Sequence, residues 1–267
     1  MQRVSSRGNP YHDELGRFSS ADKSKLKSEK SERQYNAQSE NQRIASECAF
    51  TPAKTKEEAA NFAKSLGVDL DTDCFTLEQC NDINRVTEET VVEFPKTNGY
   101  IKKISSTEHY YAVEREENIK KIEEHYAKKG IPKGAAKKLA EIEYNFFSKL
   151  GSTSLVVMSD FEDGNDGSMY ISTNRSVNIP FITNTYNDSF EARVYHEYGH
   201  VIALKYSPDL GKSVYDKFGK TKIRIGLSEY AATSSEELIA EGWTECKTGK
   251  KPRNIALTVG EYLRGLK

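Results

Sequence analysis

The stretch Val194 to His200, VYHEYGH, constrains this chain more than any other. Its centre is His196-Glu197-Tyr198-Gly199-His200, two histidines four residues apart with a glutamate directly after the first. On an α-helix, side chains at i and i+4 share a face, one turn apart. Both imidazoles then reach a single metal ion, and Glu197 stands beside them as a general base for a water molecule. The surrounding residues read as a helix from about 190 to 206. Ser189 is its candidate cap, Val194, Tyr198, Val201, Ile202 and Leu204 are its apolar contacts, and Pro208 and Gly211 end it. Gly199 adds no helix propensity; its expected use is to let another backbone approach the metal turn closely. The competing reading is a surface helix with an incidental histidine pair, and a third ligand decides between the two.

Candidates for that ligand lie in SEYAATSSEELIAEGWTEC, Ser228 to Cys246. A helix is expected to begin near Thr233 or Ser234. Thr233 to Glu236 forms a capping box, which would occupy Glu236 with a backbone N–H. Ser234 with Glu237 is the rival box and would be a purely structural use of Glu237. Glu237 and Glu241 are one turn apart on a common face, with Glu236 about 100° away. Glu237 is therefore expected as the third ligand. Glu241 is expected to orient a ligand histidine through its distal N–H. Glu245 is expected on an exposed acidic face.

The remainder of the chain divides by texture. Residues 1–47 are rich in Ser, Lys, Glu and Gln and poor in apolar residues, so a disordered polar tail is expected. Residues 48–151 read as a helical accessory region. Thr55 to Glu58 and Thr76 to Gln79 are capping-box starts. Helices are expected over 107–129 and from Lys133 to Leu150, with stops at Gly67, Gly130 and Gly151. His109 and His125 lie among these helices and are expected to be lone histidines without a functional role. Residues 152–267 read as the catalytic domain. Leu155 to Met158 and Met169 to Ser172 form short strands around an acidic turn, Asp160 to Gly167, and Val177 to Ile182 extends the sheet. A strand exposed just ahead of the metal helix can pair with an extended peptide. Asn254 to Leu266 reads as a last helix packed on this core.

Composition excludes some classes. Formal net charge is −1, so no global attraction to nucleic acid or an anionic membrane exists, and the lysines of the tail are interleaved with glutamates. A nucleic-acid partner is not expected. The apolar runs are too short to span a membrane, and the first residues lack the apolar centre of a secretory signal. A cytoplasmic location is the expectation, with a phage virion or delivery into a host cell as the alternatives. The four cysteines, Cys48, Cys74, Cys80 and Cys246, form no C-x-x-C pair. They are expected as free thiols without a zinc role, a Cys74–Cys80 disulfide being the weaker alternative.

The two segments together resemble a known family. HEYGH followed by SEYAATSSEELIAEGW is similar to the zincins of the anthrax lethal factor type and to related zincin-like metallopeptidases encoded by phages and mobile elements. In that group a Tyr lies seven residues before the ligand Glu and another Glu four after it, and Tyr230, Glu237 and Glu241 have those spacings. The resemblance covers roughly Leu155 to Lys247 and departs from the pattern at Gly242-Trp243. It implies zinc (Zn2+) ligation by His196, His200 and Glu237, catalysis by Glu197 as general base, and oxyanion stabilisation by the Tyr230 hydroxyl. The opening phrase NPYHDELGRFSS resembles short Gly-Arg-Phe phrases near the ends of phage head-assembly proteins.

The expected fold class is therefore α+β, a mainly helical zincin core with a small β-sheet, preceded by a disordered tail. The expected function is a zinc-dependent endopeptidase. Its partner is a protein or peptide substrate, from a host or from phage assembly. The alternative is a non-enzymatic phage structural or delivered protein that retains a zincin fold.

Overall fold

The structure is a computed structural model that describes residues 20–113, 115–150, 155–158, 167–173, 189–206 and 210–266. The helices are α1 (Ser20–Glu47), α2 (Lys56–Ser65), α3 (Leu77–Glu93), α4 (Thr107–Val113), α5 (Arg115–Lys128), α6 (Lys133–Leu150), α7 (Phe190–Tyr206), α8 (Leu210–Phe218), α9 (Lys220–Gly226), α10 (Ser235–Thr248) and α11 (Asn254–Arg264). The strands are β1 (Asp69–Leu70), β2 (Ile101–Ser106), β3 (Leu155–Met158) and β4 (Gly167–Ile171). The fold is α+β, mostly helical with one small sheet. The acidic turn before Gly167, the Val177–Ile182 segment and residues 1–19 lie outside the described residues.

The sheet has the order β1-β2-β4-β3. β2 pairs in parallel with β1 and β4, while β3 runs antiparallel to β4 with Leu155 opposite Tyr170. β1 and β2 fall within the region expected to be only helical. β2 is IKKISS, with two apolar residues and no alternation. Ile101 and Ile104 are buried, and so are Ser105 and Ser106. The Ser106 hydroxyl accepts the N–H of His109 at the start of α4. A strand buried partly through hydrogen-bonded serines carries no period-two signature.

Several ends form as their sequences dictate. Thr76 and Gln79 make a reciprocal capping box on α3. Thr55 accepts the Glu58 N–H on α2, but the Glu58 carboxylate turns to the Lys54 N–H instead of closing the box. Ser189 accepts the Ala192 N–H at the start of α7. Gly67 and Gly130 follow their helices with φ of 77° and 82°, the left-handed conformation that suits a helix stop.

Helix α7 separates two cores. On one side Val194, Tyr195, Tyr198 and Val201 pack with Ile83 and Val86 of α3, Ile104 of β2 and Met169 of β4. On the other, Ile202 joins Leu238, Ile239 and Trp243 of α10 and Ile255, Val259 and Leu263 of α11. The first core combines residues from both sides of the expected boundary at 151/152. The region expected to be accessory supplies two strands of the sheet and one wall of the core under α7.

The tail expectation is corrected for residues 20–47, which form α1. Among the described side chains of α1, Ala37 and Ile44 alone belong to the buried apolar set, so the composition argument identified its weak apolar content. Its docking is polar. Arg33 holds Glu261 through two bonds of 2.6 and 2.8 Å. Gln34 and Asn41 donate to the carbonyls of Pro252 and Cys246, at 2.9 and 3.0 Å. The last carbonyls of a helix have no partner within it, and Asn41 satisfies one of those of α10. Among the described residues, no helix is long and apolar enough to cross a membrane.

Candidate metal centre

The site forms where α7 lies against α10. A Cβ built on Gly199 would stand 2.7 Å from the Ala240 Cα, closer than such atoms approach, so glycine is required for the two backbones to touch. Ala240 lies between Glu237 and Glu241 on α10. The contact therefore brings both carboxylates against the histidine face of α7, which is the use expected for Gly199.

His196 Nε2 is 3.1 Å from Glu237 Oε2. His200 Nε2 is 3.3 Å from His196 Nε2 and 3.7 Å from Glu237 Oε2. These atoms converge on one point. On the other side of the ring, His196 Nδ1 is 3.2 Å from Glu241 Oε1. Ser228 donates to Glu241 Oε2 at 2.8 Å and accepts the Ala231 N–H. The Tyr230 hydroxyl donates to Glu237 Oε1 at 2.9 Å, and its ring stacks on His196.

The cap of α10 is Ser234, which accepts the Glu237 N–H. The rival cap is thus the one formed. It uses only the backbone of Glu237, whose carboxylate remains directed at the histidines. Glu245 departs from the expectation of an exposed face. It is buried and grips Arg253 through several charge-assisted bonds, the shortest being 2.6 Å.

The donor set fits a zinc ion. Donors about 2.05 Å from a tetrahedral zinc stand roughly 3.3 Å apart, and the three pair distances of 3.1, 3.3 and 3.7 Å bracket that value. Glu237 Oε2 is buried and accepts no hydrogen bond. Its nearness to His196 Nε2 is a contact without the alignment of a bond. A buried charged oxygen left this way costs free energy unless a cation meets it. Two imidazoles and a carboxylate are the ligand types zinc takes in hydrolytic sites.

No family model, curated protein or solved structure matches the chain.

The electrostatics of the metal-free site follow from burial and coupling. Burial opposes a charge on His196, but the Glu237 and Glu241 carboxylates on either side of its ring outweigh it and raise its pKa well above the usual value. His200 is pushed down to about 4 by burial and by the neighbouring His196 charge. Glu197, 3% exposed, is pushed up to about 7 by burial, with Glu237 adding to the shift and His196 opposing it. Burial and the Glu237 carboxylate push the Tyr230 phenol upward, so it stays a donor.

The structure brings together His196, His200, Glu237, Glu241 and Tyr230, with Glu197 adjacent on α7. Sequence reasoning missed Ser228, which precedes Tyr230 by two residues and carries no signature of a carboxylate anchor. It also missed the support behind the helix. Tyr195 donates to Glu89 Oε2 at 2.6 Å, and Lys247 Nζ bridges Glu89 and Glu93 at 3.1 and 3.3 Å. Arg264 meets the other oxygen of Glu93 at 2.8 Å. This buried network ties α7 to α3, α10 and α11. The four cysteines are free thiols.

Proposed function

We propose that the chain is a zinc-dependent endopeptidase with a zincin core, similar to the anthrax lethal factor type. The observation that carries the reading is the convergence at zinc-ligand spacing of His196 Nε2, His200 Nε2 and Glu237 Oε2, a buried oxygen that accepts no hydrogen bond. His196, His200 and Glu237 hold the ion. Bound there, Zn2+ supplies a Lewis acid that lowers the pKa of a water and polarises a peptide carbonyl.

Protein side chains carry the remaining roles. Glu197 takes the proton of the attacking water and delivers it to the leaving amine. Its near-complete burial beside His196 suits it to a proton that moves at neutral pH. Glu241, anchored by Ser228, fixes the ring and tautomer of His196. Tyr230 orients Glu237 in the absence of substrate. When a substrate oxyanion develops beside it, the same phenol is its donor, a contribution of about 3 kcal/mol for groups of this kind.

Among the described residues β3 is an edge strand, antiparallel to β4, and both strands adjoin α7. An extended peptide substrate is proposed to add to this edge. The substrate is a protein of a host cell or of phage assembly, and the chain acts in the cytoplasm, in a virion or after delivery. The test is incubation of the zinc-loaded protein with a denatured protein pool, with and without a chelator. Chelator-sensitive cleavage that Glu197→Gln abolishes is expected. Zinc binding without cleavage of any protein in the pool would support a non-enzymatic role.

A further inference from the structure

A second group of ligand-type side chains lies outside this centre. Asp71 follows β1, Cys74 closes the short 3-10 turn Thr72–Cys74, Ser105 is in β2, and His109 is in the first turns of α4. The backbone fixes their relation, since the Asp71 N–H donates to the Ile104 carbonyl at 2.9 Å and the Cys74 N–H to the Asp71 carbonyl at 3.3 Å. Asp71 Oδ2 is the point of convergence. It accepts the Cys74 thiol at 3.0 Å and the Ser105 hydroxyl at 2.9 Å, and it lies 3.8 Å from His109 Nδ1. One donor atom from each of Asp71, Cys74 and His109 lies within 4.8 Å of the other two.

The arrangement does not suit a nucleophile relay. In a relay the histidine stands between the nucleophile and the carboxylate. Here the carboxylate stands between thiol and imidazole, and the three donor atoms lie within 4.8 Å of one another. Sulfur, nitrogen and oxygen donors around a tetrahedral zinc stand roughly 3.3–3.7 Å apart, and the two distances from Asp71 Oδ2, 3.0 and 3.8 Å, bracket that range. A thiolate and an imidazole together select a borderline-soft cation over magnesium or calcium.

We propose that Asp71, Cys74 and His109 form a second zinc site. Uptake of the ion displaces the Cys74 thiol proton to solvent, and nothing is oxidised or reduced. A solvent water completes the coordination, and Ser105 holds Asp71 in place by donating to its Oδ2. Asp71 and His109 are 25% and 32% exposed at their side chains, which leaves a path for the ion to enter. The site cross-links the turn after β1 to the first turns of α4 at one end of the sheet.

Cobalt titration of the full-length protein tests this independently of the centre on α7. A thiolate ligand gives cobalt(II) a near-ultraviolet charge-transfer band, and the His196–His200–Glu237 set contains no sulfur. The His196→Ala/His200→Ala variant, reduced and folded by circular dichroism, is expected to develop the band and saturate near one equivalent. Cys74→Ser in that background is expected to lose it, and His109→Ala to need at least tenfold more cobalt. A folded double variant that shows no band overturns the proposal, as does a band that survives Cys74→Ser. Neither result bears on cobalt binding at the α7 centre, which is read in the visible spectrum of the Cys74→Ser/His109→Ala variant with His196 and His200 intact.

Discussion

Gly199 and Ala240 meet backbone to backbone, leaving no room for a methyl group between α7 and α10. Everything the site requires from α10 depends on that contact. Gly199→Ala must spread the helices and withdraw Glu237 from the histidines. Loss of zinc is expected, with a destabilisation of about 1–3 kcal/mol, typical of overpacking. Gly134→Ala is the control, since its methyl group meets open space in α6. It should retain zinc and gain about 0.5–1 kcal/mol. Metal analysis and thermal melts of the two variants check both statements.

Glu237 and Glu241 flank the same histidine but differ in what they do. Glu237 faces the converging nitrogens, whereas Glu241 holds the far side of His196. Glu237→Ala should abolish stoichiometric zinc binding. Glu241→Ala should weaken it roughly 10–100-fold, the range for partners behind a ligand. Competition against a chelator of known affinity measures the difference. The reverse order would exchange the two roles.

The pH dependence of the metal-free protein isolates His196. Glu197 is raised from 4.5 to about 7, so its protonated form favours the fold and that stability fades as pH rises through this window. His200 is lowered from 6.5 to about 4, so its stability is present above 6.5 and fades as pH falls toward 4. The two windows nearly coincide with opposite signs and offset each other. The folded-state pKa of His196 is raised above 6.5. Its stabilisation is complete below 6.5 and is lost as pH rises through the higher value. Chelated wild type is therefore expected to melt at progressively lower temperature above pH 6.5, relative to His196→Gln. Parallel melting curves for the two across pH 6.5–9 would contradict the coupling of His196 to its two carboxylates.

Lys247 joins Glu89 and Glu93 behind α7, and its side chain is 2% exposed. Lys247→Met fits the volume but leaves two buried carboxylates without that cation. The expected cost is about 3–5 kcal/mol. Zinc affinity of the folded fraction should change little, because no ligand contacts Lys247. Chemical denaturation and metal titration of this variant separate support of the fold from support of the site.

Chemistry and local signals at the centre were legible in the sequence, and long-range polar docking was not. The i, i+4 histidine pair, the one-turn spacing of Glu237 and Glu241 and the small residue at 199 each follow from helix geometry. The choice of Ser234 over Thr233 as cap was open because both are good caps with a glutamate three residues on. Helix α1 escaped detection because Arg33, Gln34 and Asn41 read as solvated side chains, yet they dock on Glu261 and on carbonyls near the end of α10. Strand β2 escaped because Ser105 and Ser106 are buried by virtue of partners, Asp71 and the His109 N–H, that lie on other elements. Composition registers a polar residue but not whether a distant partner satisfies it.

The most direct measurement compares new protein N-termini generated in a cell lysate by zinc-loaded wild type and Glu197→Gln. Both proteins should bind one zinc at the α7 centre, because Glu197 is not among its ligands. Wild type should produce a set of new N-termini that the chelator suppresses, and Glu197→Gln should produce none of them. Identical N-termini from the two proteins, or none from a wild type shown to carry zinc at His196, His200 and Glu237, would contradict the assignment as a peptidase.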